Sequence, residues 1–364
     1  MGWNRGVNKM KTVMTVTGIR PDFIRMKEVF RKLDSDNDIN HILVHTGQHY
    51  NNLLSDVFFK DLKIRKPDYN LHVGGDGKEH FHQTADLSVK LIDLIRTKNI
   101  NPDLILFLGD SNSVVSAVPL KKEGYKIGHI EAGMRSYDKR MLEEINRVVC
   151  DHCTDIHFVY HGDYKKHLVQ EGFNSDNIHI VGNTIVEVCK PIADELKLVD
   201  KKNSHIILDI HRPENFKYAN RLSNIIKYAN LCIDEFELPV KMLEFKRTTR
   251  YLKEYNIDIG NIEIVDLMSY KEYLESVYHS KFIISDSGTA QEEPALLGTK
   301  VIVPRDYTER PQSMSNNCSY MLEANTGIGF KYSFNWLNSN NKINSLWLGR
   351  GEAAENIIGI IKEM

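Results

Sequence analysis

The chain has 364 residues, with 47 Lys and Arg against 49 Asp and Glu, a formal net charge of −2 and 41% hydrophobic residues. Such a length is too great for one ordinary domain and comfortable for two, and a charge so near zero supplies no general field that would draw the protein to nucleic acid or an anionic membrane. No apolar run approaches the roughly 20 residues of a spanning helix, and Met1–Lys9 lacks the apolar core of a secretory leader, so the expectation is a cytoplasmic two-domain enzyme acting on small molecules.

Short β-branched runs separated by longer amphipathic stretches are the signature of βαβ units. Strands are expected at Lys11–Thr17, His41–Thr46, Leu104–Leu108, Lys126–Ile130, Ile156–Val159 and Ile178–Val181. A polar, lysine-rich stretch, Asp194–Ser204, interrupts the alternation. It restarts with Ile206–Ile210, Val240–Leu243, Ile262–Val265, Lys281–Ser285 and Lys300–Val303. Several of these runs are apolar on both faces, as buried parallel strands are. The pattern predicts an α/β protein of two doubly wound domains with a hinge near Glu187–Ser204. The domains are placed at residues 10–187 and 188–345. A tail at 346–364 carries a helical pattern (Ala353, Ile357, Ile358, Ile361) suited to packing back on the first domain.

In such sheets ligands sit at the carboxyl ends of the strands, so the residues that follow each run are the candidates. After the first comes Gly18-Ile19-Arg20-Pro21-Asp22. Pro21 suits the first turn of a helix whose free N–H groups favour an anion, and Arg20 adds a charge-assisted contact to a phosphate. Taken alone, a capped βα loop with a surface arginine explains the same residues. The third run ends in Leu108-Gly109-Asp110-Ser111-Asn112-Ser113, a concentration of polar groups that capping does not explain. The next ends in Gly128-His129-Ile130-Glu131-Ala132-Gly133-Met134-Arg135, with Glu143, Glu144, Asn146 and Arg147 shortly after. Glu143 and Arg147 have the i, i+4 spacing of an ordinary solvated ion pair. Yet Asp110, Glu131 and Glu143, with two arginines in consecutive loops of one sheet edge, are what acid–base chemistry on an anionic substrate needs.

In the second half, Ile210-His211-Arg212-Pro213-Glu214-Asn215 puts a residue that titrates near neutrality at a strand end. Ser285-Asp286-Ser287-Gly288-Thr289-Ala290-Gln291-Glu292-Glu293 takes a strand through Ser-Gly-Thr towards a helix, presenting backbone N–H groups to a phosphate, with a glutamate one turn on to take two ribose hydroxyls. Arg305-Asp306-Tyr307-Thr308-Glu309-Arg310-Pro311 adds two arginines after another strand. Neither a G-x-G-x-x-G nor a G-x-x-x-x-G-K-[ST] pattern is present, so no dinucleotide cofactor is expected. Five cysteines, an odd number, argue for reduced thiols, and Cys150-Asp151-His152-Cys153 has no second pair to complete a zinc site, so no metal is expected either.

The ordered set GIRPDFIRM (18–26), HTGQHY (45–50), GDSNS (109–113), HIEAGMRS (129–136), EEINR (143–147), VGNT (181–184), HRPEN (211–215), SDSGTAQEE (285–293) and RDYTERP (305–311) resembles the non-hydrolysing UDP-N-acetylglucosamine 2-epimerases. The resemblance implies two Rossmann-like domains in a glycosyltransferase-B arrangement, with the active site in the interdomain cleft. It implies inversion at C2 by loss and re-addition of UDP, with no cofactor, and a homodimer. By position, Asp110, Glu131 and Glu143 match the family's acid–base carboxylates, and His211 its histidine near the diphosphate. Arg20, Ser287, Gly288 and Arg310 match phosphate-side residues, Glu293 the ribose-binding glutamate, and Arg147 the arginine beside the acids. Arg25 and Thr289 also fall at substrate-binding positions, where the family commonly has Lys and Gly. Leu243-Glu244-Phe245-Lys246-Arg247 lacks the histidine that allosteric members use.

Substrate signals divide. Arg25, the SDSGT form and Ile64–Tyr69 look more like relatives acting on 6-deoxy-L-hexosamine nucleotides, whereas HIEAGMRS looks more like the N-acetylglucosamine enzymes. A hydrolysing epimerase, a sugar-nucleotide glycosyltransferase and a non-catalytic nucleotide-binding module are the competing readings. The last two leave Asp110, Glu131 and Glu143 without a shared purpose.

Overall fold

A computed structural model describes residues 10–47, 59, 62–74 and 79–364. Gln48–Tyr50 of the HTGQHY motif lie outside the described residues. The chain divides into two compact units, one of the residues up to Val188 with Gly349–Met364, the other Cys189–Leu348. The change from one to the other falls inside the helix Ile185–Leu196.

The first unit holds a seven-stranded, wholly parallel sheet of β1 (Lys11–Thr17), β2 (Ile39–His45), β3 (Tyr69–Asn70), β4 (Leu104–Leu108), β5 (Ile127–Ile130), β6 (Ile156–Val159) and β7 (Ile178–Ile180). Their order is β3-β2-β1-β4-β5-β6-β7. The second unit repeats the plan with β8 (His205–Asp209), β9 (Val240–Leu243), β10 (Glu263–Val265), β11 (Ser280–Ser285), β12 (Lys300–Val303) and β13 (Ser319–Met321), ordered β10-β9-β8-β11-β12-β13. The strand order reverses between β1 and β4 and again between β8 and β11, the two places where a parallel sheet opens a crevice beyond its carboxyl ends. The fold is thus α/β with two Rossmann-like units.

Strands such as β4 (LILFL) are buried throughout their length, as the strands of parallel sheets generally are. Met14, Leu91, Ile105, Phe107 and Val114 belong to the first core, and Ile206, Leu208, Tyr228, Phe282 and Ile284 to the second. Among the described residues no helix is long and apolar enough to cross a membrane.

The C-terminal helix Ala353–Glu363 bears on the site although it lies far from it in sequence. It buries Ala353, Ala354, Ile357, Ile358 and Ile361 and packs on the helix Arg20–Ser35. Lys11 Nζ donates to the carbonyls of Ile361 and Lys362 at 2.9 and 2.8 Å, while Lys362 pairs with Asp36 at 2.9 Å and Asp38 at 3.0 Å. Each buried isoleucine contributes about 1.5–3 kcal/mol. The packing fixes the helix that carries Arg20, Asp22 and Arg25 to the end of β1.

Candidate active site

The register of the first sheet sets two acids side by side. Leu108 of β4 pairs with Ile130 of β5, and the Gly109 N–H donates to the Ile130 carbonyl at 3.0 Å. Asp110 and Glu131 therefore leave adjoining strands at one edge, next to the reversal. Both exits use left-handed backbone, with φ +72° at Gly109 and +72° at Glu131. Glycine adopts this freely, whereas a glutamate there costs about 1–3 kcal/mol. The Glu131 and Ala132 N–H groups hold the turn by donating to the Phe158 carbonyl at 3.0 and 3.3 Å.

Glu131 is buried and ion-paired with Arg25, whose guanidinium lies 5.7 Å from the Tyr160 ring centre. A β-carbon on Gly109 would sit 3.8 Å from Arg25 Nη1 and 3.9 Å from Glu131 Oε1, so the bare glycine faces this pair. Asp110 keeps 24% side-chain exposure and is ion-paired with buried Arg147, which also meets Glu144 at 3.1 Å. Asn146 Nδ2 donates to the Asp110 carbonyl at 2.9 Å. Glu144 accepts the N–H groups of Ser136 and Tyr137 at 3.0 and 2.9 Å. Glu143 is half-buried in the first turn of the helix Leu142–Cys153, and Arg20 half-buried at the start of its own. Behind Arg20 lies Asp22, buried, with the Ser111 hydroxyl donating to it at 3.1 Å. Burial, opposed by Arg25 and reinforced by Asp110, pushes the Asp22 carboxyl up to about 7.

In the second unit, His211 follows β8. Its Nδ1 donates to Asp209 at 2.9 Å and lies 3.2 Å from Asp286 Oδ1. Burial would lower its pKa, but the two carboxylates, Asp286 and Asp209, raise it above the ordinary value. The side chain is 34% exposed and its ring lies 4.9 Å from that of Phe245. Asp286 is wholly buried and accepts the backbone N–H groups of His211 and Arg212 at 3.1 and 3.0 Å and the Asn215 amide at 2.9 Å. Asp209 accepts the Ser285 hydroxyl at 2.8 Å. Asp209, His211 and Asp286 offer ligand atoms within 4.8 Å of one another, the spacing of a metal site. Their oxygens already accept N–H and O–H groups, which suits the holding of the imidazole better than the binding of a metal ion.

β11 exits into a 3₁₀ turn, Thr289–Gln291, and a four-residue helix, Glu293–Leu296. Ser287 and Thr289 hydroxyls lie 3.2 Å apart. Arg310 Nε donates to Glu292 at 2.6 Å, and its Nη1 pairs with Glu309, all three side chains being buried. Its guanidinium lies directly behind Gly288, where a β-carbon would meet Nη1 at 2.8 Å. Glu293 accepts the Tyr270 hydroxyl at 2.9 Å.

The first unit thus gathers Asp110, Glu131, Arg25 and Arg147 at one edge, and the second has His211, Ser287, Gly288, Thr289, Glu293 and Arg310 on loops after its strands. Reading residues by position overlooked Asp22, Glu144, Asp209, Asp286 and Tyr270. All but Tyr270 lie in or beside the motifs themselves, and their one signal is an acid next to a strand end or a helix start. Cys150 and Cys153 are free thiols on one helix.

A family model described as UDP-N-acetylglucosamine 2-epimerase matches residues 31–362. A UDP-N-acetylglucosamine 2-epimerase from Methanococcus maripaludis is 31% identical, covering 97% of this chain and 98% of the relative. A UDP-2,3-diacetamido-2,3-dideoxy-D-glucuronate 2-epimerase from Pseudomonas aeruginosa is 29% identical over 86% of this chain and 88% of its own. The crystal structure of Methanocaldococcus jannaschii UDP-GlcNAc 2-epimerase in complex with UDP-GlcNAc and UDP is similar with a TM-score of 0.88 at 29% identity, covering 97% of this chain and 100% of that one.

Proposed function

The chain belongs to the UDP-N-acetylglucosamine 2-epimerase family, and from that premise we propose that this isomerase interconverts UDP-N-acetylglucosamine and UDP-N-acetylmannosamine without hydrolysis. The C2 proton is not beside a carbonyl, so its removal alone is steeply uphill. Elimination solves this. The C2–H and C1–O bonds break, C1=C2 forms, UDP departs with the bonding pair, and a base takes the proton. Re-addition of UDP to the 2-acetamidoglucal, with a proton delivered to the other face of C2, gives the epimer.

This route asks for proton-transfer groups on two faces and for cations or donors around a departing diphosphate. The observation that carries the reading is the placement of Asp110 and Glu131 at the ends of adjoining strands, β4 and β5, beside the reversal, each held by its own guanidinium. Glu143 is the third acid in this role. His211, fixed between Asp209 and Asp286, meets the diphosphate together with the Ser287-Gly288-Thr289 turn, and Arg20 is the phosphate-side residue of the first unit. Arg310 acts from behind that turn, and Glu293, oriented by Tyr270, takes the ribose hydroxyls. No metal or dinucleotide has a part in this chemistry. A homodimer in the cytoplasm, with a UDP-sugar as its ligand, completes the reading.

Arg25 favours a second reading, the same reaction on a UDP-2-acetamido-2,6-dideoxy-L-hexose, because a guanidinium stands beside Glu131 where the family commonly has an ammonium. Proton NMR of the protein with each UDP-sugar in D2O tests both. The expected result is interconversion of UDP-N-acetylglucosamine and UDP-N-acetylmannosamine with deuterium entering at C2. Faster turnover of the 6-deoxy nucleotide selects the second reading. Free N-acetylmannosamine as the product, or no C2 deuterium in any UDP-sugar, overturns the proposal.

A further inference from the structure

A second ion pair lies beneath the two acids of the first sheet. Asp151, on the helix Leu142–Cys153, and His129, in β5, both have wholly buried side chains. His129 Nδ1 is 2.7 Å from Asp151 Oδ1, and its Nε2 is 2.8 Å from the Gly109 carbonyl. A carbonyl can only accept. Asp151 is ionised, because its other oxygen takes the Arg135 guanidinium at 2.7 Å and the Gly133 N–H at 3.1 Å. Both ring nitrogens therefore donate, which only an imidazolium can do. The surroundings agree. Burial opposes the charge, but Cys150 and Asp151 hold the His129 pKa well above its ordinary value. Burial would raise Asp151, but His129 and Arg135 hold it well below the carboxylate range. His157, the other histidine against Asp151, donates to its backbone carbonyl at 3.0 Å and is kept below its ordinary value by burial. Arg135 is anchored in turn by Glu171 at 2.7 and 2.6 Å.

One carboxylate thus touches both exits of the sheet edge. Through His129 it holds the carbonyl of the residue before Asp110, and through the Gly133 N–H it holds the turn that carries Glu131. Gly109, Glu131 and Gly133 all have left-handed backbone, and the ion pair adds a side-chain tie to the main-chain bonds that Gly109 makes with Ile130 and Glu131 with Phe158.

We propose that the Asp151–His129 ion pair is the positioning device that sets Asp110 and Glu131 relative to each other, with His129 permanently protonated and neither residue touching substrate. The proposal rests on the epimerase reading for the chemistry it serves. A catalytic group displaced by about 1 Å loses on the order of 10²-fold in rate.

The test combines ring-proton counting by ¹⁵N-histidine NMR on the wild-type protein at pH 8 with kinetics and UDP titration of His129→Gln and Asp151→Asn. One histidine bearing two slowly exchanging ring protons is expected, and it disappears in His129→Gln. Both variants should lower kcat by about 10²-fold, with KM and UDP affinity unchanged within about twofold. A single ring proton on His129 overturns the proposal by itself. So does a folded variant with wild-type kcat, or one whose kcat and UDP affinity fall by the same factor. If one variant fails to fold, the other and the wild-type spectrum decide. If no UDP-sugar is turned over, the reaction assigned above fails, while the ring-proton count still judges the ion pair.

Discussion

The two sheets follow one strand plan, with reversals at β1/β4 and β8/β11, yet they employ their carboxylates in opposite ways. At the first edge, Asp110 and Glu131 meet side chains, Arg147 and Arg25. At the second, Asp286 meets two backbone N–H groups and an amide, Asp209 a hydroxyl and an imidazole, and Glu292 and Glu309 the buried Arg310. The acids of the second edge support the loops, so on the proposed reading what that edge offers a ligand is N–H groups, hydroxyls and the imidazole of His211. In the proposed reaction the acids of the first edge are themselves the proton-transfer groups. On that reading, one location on one fold serves proton transfer where its strand-end acids, Asp110 and Glu131, are held by single arginines, and receives an anion where its acids are taken up by main-chain N–H groups, a hydroxyl, an imidazole and the buried Arg310.

The sharpest way to break this contrast is to remove the acids of the first edge. Asp110→Asn, Glu131→Gln and Glu143→Gln are each expected to lower epimerisation by about 10²–10⁴-fold, the usual loss for a positioned acid or base. UDP affinity, which the proposal assigns chiefly to the second edge, should change little. NMR turnover assays and UDP calorimetry on variants of confirmed fold check both halves. Near-wild-type turnover in all three would remove the acid–base assignment.

Much of this contrast is legible in the sequence, and the illegible part has a physical cause. Lys11–Thr17, Leu104–Leu108, Ile156–Val159, Val240–Leu243 and Lys300–Val303 are strands with the expected ends, because two-sided burial writes itself as an unbroken apolar run. Most other ends shift by one residue. Tyr69–Asn70 and Ser319–Met321 go unread because two or three residues at a sheet edge bury too little to leave a pattern. The strand-end rule singles out Asp110, Glu131 and His211 as candidates, and each does follow a strand, since the main chain places them. It misses Asp22, Asp151 and Asp286, whose roles depend on what lies behind the edge. Nor does i, i+4 spacing reveal that Arg147 pairs with Asp110, 37 residues away in sequence, since that contact is made by the register of β4 and β5 and the docking of a helix.

Asp22 sharpens the comparison, because it belongs to neither pattern: the partner that raises no charge question is the Ser111 hydroxyl. Its carboxyl rises from an ordinary 3.8 to about 7 on folding, with burial the largest cause. The folded state then binds this proton more tightly than the unfolded chain. The stability it lends is complete below pH 3.8 and is lost as pH rises through about 7. Asn cannot ionise, so Asp22→Asn should escape the loss and gain on the wild type by on the order of 2–4 kcal/mol between pH 5 and pH 8. Urea unfolding at several pH values measures the difference. Parallel stability curves for the two proteins would show that Asp22 is ionised throughout.

The smallest expected effect probes the second edge from behind. Gly288 has φ −64° and ψ −48°, which any residue adopts, so alanine there meets no backbone penalty. Crowding is the only term left. Its β-carbon would come within 2.8 Å of Arg310 Nη1 and 3.1 Å of Glu309 Oε1. The arginine cannot swing aside cheaply, because its Nε is bound to Glu292 at 2.6 Å and all three charges are buried. The Ser287-Gly288-Thr289 turn must therefore move outward, towards the place assigned to the diphosphate. Gly288→Ala should weaken UDP binding by about tenfold, or about 1.4 kcal/mol, and leave the kcat of bound substrate nearly unchanged, since the acids of the first edge are untouched. Calorimetry with UDP beside saturating turnover assays separates these. If affinity holds and kcat falls, the turn serves the reacting atoms rather than the nucleotide, and the division of labour between the two edges is wrong at this point.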